Sequence, residues 1–190
     1  MTADLQVGAD VEALLEQLRV ALPGIDLAFR AETSVDLDFS ASLYALTRAD
    51  ELRQVADWTD EQKTTFCRWQ FDSQHAHYRK HYPTANLLIV LLDGSPIGRL
   101  YFTRTSSELR LMEITLLEHC RNRGIGGAIS GALIERARAV GLPATLHVEP
   151  FNPARRLYER QGFREVEARG IYLFMRCQPD QNLAEQGQSS

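Results

Sequence analysis

A chain of 190 residues suits one domain that buries roughly 70 % of the surface its unfolded form exposes. Its 44 % hydrophobic and 24 % charged content is ordinary for a globular protein, and a net charge of −4 argues against a general nucleic-acid binder. Three scattered cysteines without a CxxC pair fit reduced thiols rather than a disulfide or zinc framework. With no leader-like start and no apolar run longer than Leu87 to Leu92, a cytoplasmic protein that engages no membrane is expected.

Residues 1 to 25 form an extension in which Val11, Leu14, Leu15, Leu18 and Leu22 make an apolar stripe at helical spacing. Asp10 is the candidate N-cap, and Pro23-Gly24 ends the helix. The stripe packs on the domain or on another subunit, so a homodimer stays open. Leu27 to Ala31 fits a strand, and Val35 to Thr47 a helix with Phe39, Leu43 and Leu46 inward. Asp60 to His81 fits a longer helix capped by Thr59 or Asp60. His77 and His81 lie four apart on it, but no third ligand accompanies them, and no metal is expected. His75 is a minor candidate for contacting a substrate. Asn86 to Leu92 and Ile97 to Thr103 flank Asp93-Gly94, the turn pair of a hairpin.

Leu109 to Arg138 carries the strongest signal. Leu109 to Leu117 suits a buried strand, Arg121 to Gly127 is short, basic and glycine-rich, and from Ala128 an apolar stripe of Ile129, Leu133, Ile134 and Ala137 marks a helix. The first turn of a helix has unpaired N–H groups and a partly positive end, and glycines let a backbone approach an anion. Arg121 and Arg123 add guanidinium donors suited to phosphate. The P-loop pattern fails because Ala132 and Leu133 stand where Lys and Ser/Thr are required. The dinucleotide pattern fails because Ile129 stands where its third glycine is required.

After Gly141-Leu142-Pro143, Thr145 to Glu149 reads as a strand. Asn152-Pro153 then turns into a helix with Pro153 at its first position, Ala154, Leu157 and Tyr158 on one face, and Gly162 at its end. Phe163 to Val166 and Ile171 to Arg176 read as closing strands around Gly170, and residues 178–190 as a disordered tail. The two segments, Arg121-x-x-Gly124-x-Gly126 and the later Asn152-x-Ala154, Leu157-Tyr158, Gly162-Phe163, resemble in this order the signatures of the GNAT superfamily of acyl-CoA-dependent N-acyltransferases. Glu118-His119-Cys120 departs from the family, which often has a proline before the arginine.

The resemblance implies one α/β domain over residues 26–177, with a mixed, mostly antiparallel sheet and helices on both faces. It also implies transfer of the acetyl group of acetyl-CoA to an amine of a small molecule or peptide, by direct attack on the thioester. In it, Arg121, Asn122, Arg123, Gly124, Ile125, Gly126 and Gly127 hold the pyrophosphate, and the backbone of Leu116 and Leu117 holds the pantetheine arm and thioester oxygen. Asn152 bonds the arm or orders a water. Tyr158 is the general acid and Glu113 the base, with Glu149 the other candidate base, and the early helices border the acceptor side. The rival reading is a CoA-binding sensor or scaffold without turnover.

Overall fold

The computed structural model describes residues 8–179, so most of the tail expected to be disordered lies outside the described residues. Helices α1 (Ala9–Ala21), α2 (Leu37–Arg53), α3 (Asp60–His81), α4 (Ile125–Ala139) and α5 (Arg155–Arg160) surround seven strands. The strands are β1 (Leu27–Ala31), β2 (Asn86–Leu92), β3 (Ser95–Arg104), β4 (Leu109–Leu116), β5 (Ala144–Val148), β6 (Arg164–Arg169) and β7 (Tyr172–Cys177). They form one sheet in the order β1-β2-β3-β4-β5-β7-β6, antiparallel at every seam except the parallel β4–β5 pair.

Alternation of side chains along the strands builds two unlike faces. On one, Leu100, Phe102, Leu109, Leu111, Leu116 and Leu146 join α1 and α4 in the main core. On the other, α2 and α3 pack through Tyr44, Cys67 and Phe71 over a face that buries Arg99 and Tyr101. The stripe of α1 packs on the domain itself: Val11, Leu14 and Leu18 are buried in the main core, each worth about 2 kcal/mol. Asp10 does not cap this helix. Gly8 does, while Asp10 pairs with Arg136 of α4 at 2.7 Å and with Arg104 at 3.2 Å.

Two elements match their sequence reading closely. Helix α3 has the expected bounds, and Thr59 and Gln62 cap it reciprocally, at 3.2 Å and 2.8 Å. The β2–β3 hairpin pairs Leu92 with Ser95 across Asp93 and Gly94, both left-handed as a two-residue turn of this type requires. Three others differ. In α2 only Leu43 of the three expected residues is buried; Ser40 and Tyr44 complete its inner face, and Leu46 is exposed. Helix α4 starts at Ile125 rather than Ala128, so residues 125–127 form its first turn. Pro153 precedes α5, which starts at Arg155 behind a cap at Ala154.

Candidate active site

The sheet opens where β4 and β5 part. They pair only from Leu109 and Ala144 to Leu111 and Leu146. Immediately beyond, Tyr101 pairs with Glu113 and Phe102 with Leu111, leaving Met112 as the extra residue of a bulge. A cavity of about 380 Å³ occupies the gap, walled by β4, β5, α2, α3 and α5. The bulge puts Glu113 and Thr115 on the Arg99 side of the sheet and Ile114 and Leu116 on the α4 side. Glu113 thus lies opposite Ile114 and Leu116, as its place in the strand predicts.

The open edge of β4 offers its own hydrogen-bonding groups. The N–H of Leu117 donates to Ile97 of β3 at 2.8 Å, so it is engaged within the sheet and is not free for a ligand. Bonding direction alternates along a strand, so the N–H groups of Leu116 and Ile114 point to the edge that β5 has left. The expected pair Leu116 and Leu117 is therefore replaced by Leu116 and Ile114. Arg121 also departs from expectation, since its Nε donates to the carbonyl of Leu116 at 2.8 Å and ties the loop to the strand end.

Glu118–Cys120 fills the place of the missing proline with one 3-10 turn, anchored by the buried Cys120. Asn122 and Gly124 then adopt left-handed backbone, φ 58° and 81°, which Asn and Gly tolerate best. The first backbone bond of α4 runs from Ala128 to Gly124, leaving the earlier N–H groups of its first turn without carbonyl partners among the described residues. Arg123 is exposed beside them. Of the three glycines, only Gly124 is required by its own backbone. A Cβ on Gly126 would meet Leu116 and Ile114 at 3.8 and 4.0 Å, and one on Gly127 would meet Leu157 at 3.5 Å. Those two glycines seat the helix against β4 and α5 rather than clear space for an anion.

Four side chains carry the chemistry of the cavity. Glu113 accepts from Thr115 Oγ1 at 2.7 Å. Tyr158 of α5 is 7 % exposed, packs edge-on against Phe163 and lines the same cavity. Burial, then the charge of Glu113, pushes its hydroxyl up to about 12. A phenol's ordinary value near 10 already exceeds a thiol's of about 8.5, so protonating a thiolate is uphill for it. Tyr158 is thus suited to donate a hydrogen bond to a departing sulfur and not to act as a strong acid. Asn152 spends its side-chain oxygen on the N–H of Ala154 at 2.9 Å, so only its amide nitrogen faces a ligand. Glu149 pairs with Arg48 of α2 at 3.2 Å, which leaves Glu113 the less encumbered carboxylate.

Charged residues hidden behind the wall escape a reading by periodicity. Arg99 is fully buried beneath Phe71 and Tyr101. Glu32 accepts from Tyr101 at 2.6 Å and from Ser40, and meets His75 Nε2 at 2.8 Å. Burial alone would raise the Glu32 carboxyl, but the bonds from His75, Ser40 and Tyr101 together outweigh it and hold it below the usual value. His75 therefore serves this buried cluster and does not line the cavity; Gln74, Tyr78 and Tyr82 of the α3 region do. The signal available in the sequence was an arginine inside the apolar run Ile97 to Phe102. Rings of His77 and His81 stack 4.4 Å apart, and among the described residues no group of three metal-ligating side chains is found. No helix among the described residues is long and apolar enough to cross a membrane.

Comparison with known proteins places this geometry. The model of the acetyltransferase (GNAT) family matches residues 43–163. Curated proteins give no match. Among solved structures, the PaiA N-acetyltransferase of Thermoplasma acidophilum, in complex with coenzyme A, superposes with a TM-score of 0.60 at 14 % identity, over 80 % of this chain and 99 % of its own. An acetyltransferase from Streptococcus agalactiae gives 0.55 at 13 %, over 82 % and 99 %. One from Thermus thermophilus gives 0.52 at 20 %, over 79 % and 94 %. At these identities the likeness is one of fold.

Proposed function

Because the chain belongs to the GNAT family of acetyltransferases, we propose that it moves the acetyl group of acetyl-CoA to the amine of a small molecule or peptide by direct attack on the thioester. One observation carries the reading: the unpaired edge of β4, the open first turn of α4, Glu113 and Tyr158 all border one gap in the sheet. The pyrophosphate would rest on the N–H groups of residues 124–127 with Arg123 beside it, where the helix dipole favours an anion. The pantetheine arm would follow the edge of β4, meeting the N–H groups of Ile114 and Leu116 and the amide nitrogen of Asn152.

The chemistry follows from proton affinities. An alkylammonium near pKa 10 cannot be deprotonated by a carboxylate near 4.3 before the reaction starts, so the acceptor must arrive as the minor neutral amine. As its nitrogen bonds the carbonyl carbon, the N–H becomes acidic, and Glu113 is then a competent acceptor. Collapse breaks the C–S bond, with Tyr158 donating a hydrogen bond to the sulfur; the proton lost by nitrogen balances the one the thiolate finally takes up.

The test is a thermal shift with acetyl-CoA, using ATP and NAD as phosphate-bearing controls, followed by thiol release with glycinamide, spermidine, kanamycin and a short peptide. At 100 times its dissociation constant a ligand adds about 2.7 kcal/mol, or about 5–10 °C for a domain of this size. A shift specific to acetyl-CoA with turnover on an amine supports the reading. An equal shift with ATP refutes the CoA site, and a specific shift without thiol release favours a CoA-binding sensor.

A further inference from the structure

Arg99 and Thr115 face each other across the β3–β4 seam, behind the wall of the cavity. The Arg99 side chain is 0 % exposed, and its Cζ lies 5.4 Å from the Phe71 ring and 5.2 Å from the Tyr101 ring. None of its three guanidinium nitrogens has a hydrogen-bond partner among the described residues. A buried charge so poorly served is costly, and an apolar side chain of similar volume would fold at least as well. Folding alone therefore gives no account of it.

The geometry around Glu113 does. Nη2 of Arg99 lies 3.4 Å from Oε1 of Glu113, and Thr115 Oγ1 donates to that same oxygen at 2.7 Å. Oε1 is thus held from two sides, while Oε2 has no partner among the described residues and its carboxylate borders the cavity. Glu32, the other carboxylate near Arg99, already takes bonds from Ser40, Tyr101 and His75, so it has no need of the guanidinium for its own placement. The groups that face Glu113 are Arg99 of β3, Thr115 of β4, Tyr78 of α3 and Tyr158 of α5, with Tyr101, Glu32 and His75 behind Arg99.

We propose that Arg99 and Thr115 are positioning residues for acetyl transfer, fixing Oε1 of Glu113 so that Oε2 is the oxygen presented to the acceptor nitrogen. The inference rests on Glu113 being the proton acceptor, as read above. Neither residue touches substrate; both act through the carboxylate. Thr115 limits its rotation by a hydrogen bond, and Arg99 holds it by charge without a competing hydrogen bond.

The experiment uses the full chain with acetyl-CoA and the fastest of glycinamide, spermidine and kanamycin, or with water as acceptor if none exceeds hydrolysis. Thr115→Val, Thr115→Ser, Arg99→Lys and Glu113→Gln are compared, and the first and third are also combined with Glu113→Gln. Thr115→Val and Arg99→Lys are each expected to lower kcat roughly tenfold, the scale of a lost hydrogen bond to a charged group, with KM for acetyl-CoA unchanged. Thr115→Val moves the acidic limb of kcat/KM to higher pH, because the carboxylate loses a donor, and Thr115→Ser restores both. In the Glu113→Gln background the same changes have no further effect. If they lower kcat there by the same factor, their role is structural and the inference falls while Glu113 stands. If Glu113→Gln turns over like the parent, or the parent releases no thiol, the functional reading and this inference fall together.

Discussion

Gly98 sits on the seam that carries the site, and adding one methyl group there tests how closely that seam is built. A Cβ on Gly98 would lie 2.3 Å from the backbone oxygen of Thr115, 2.7 Å from Cδ2 of Leu116 and 3.1 Å from its Cα. The obstacle is backbone, so no rotamer change relieves it. β3 and β4 must move apart by about 1 Å to restore ordinary contact, at the point where Arg99 pairs with Thr115. Overpacking costs 1–3 kcal/mol, weakened ladder bonds add about 1 kcal/mol, and the stiffer unfolded chain returns about 0.5 kcal/mol. Gly98→Ala is therefore expected to destabilise by about 3 kcal/mol, lowering the melting midpoint by roughly 6–12 °C. Gly131→Ala is the control: its Cβ meets only Gln161 Nε2, at 3.6 Å, inside a helix where alanine is favoured, so it should be neutral or stabilising by up to about 1 kcal/mol. Both are read by calorimetry and urea denaturation. A Gly98→Ala midpoint within about 2 °C of the parent would refute the close approach of the two strands.

Tyr158→Phe should lower kcat by about 10–100-fold while leaving the dissociation constant of acetyl-CoA, measured by calorimetric titration, unchanged. Since the hydroxyl keeps its proton until about pH 12, it contributes no alkaline limb to kcat in the usual working range. Leu14→Ala empties a fully buried site between α1 and the main core and should cost 2–5 kcal/mol in urea denaturation; a loss under 1 kcal/mol would mean α1 is loosely held. Bonding from Arg30, then from Thr33, holds the Asp36 carboxyl at about 2, against an ordinary 3.8. A lowered carboxylate stabilises above its unfolded value and loses that contribution as pH falls through its folded one. The stability gap between the parent and Asp36→Asn should thus be constant above about pH 4 and close toward pH 2, with a size near 1 kcal/mol because Arg30 is half-exposed.

What the sequence disclosed depended on how local the determining physics is. The Thr59–Gln62 cap, the Asp93-Gly94 turn and the α1 stripe are settled by neighbours within a few residues, and all three are where they were expected. The bulge at Met112 is set by long-range pairing, and no nearby residue marks it. Helix α4 begins early because Ile125-Gly126-Gly127, a weak helix-forming run, is held by contacts with β4 and α5. The inner face of α2 was misread because Ser40 turns inward to serve Glu32, a partner outside any apolar count. Within the site, residue identities were legible but their engagements were not. Only the fold shows Leu117 bonded to Ile97, Arg121 to Leu116 and Asn152 to Ala154.

The bulge has a consequence for insertions and deletions in this strand. Without Met112, Leu109, Leu111, Ile114 and Leu116 would fall at alternate positions of an unbroken strand, and Glu113 would still face the other way. The core is therefore in phase with or without the additional residue, which makes burial indifferent to it. What depends on it is the parting of β4 from β5, since their pairing stops at Leu111, one residue before. A chain lacking Met112 should melt close to the parent yet carry β4–β5 pairing further and narrow the gap. Folding and an open crevice are thus separable by the loss of a single codon.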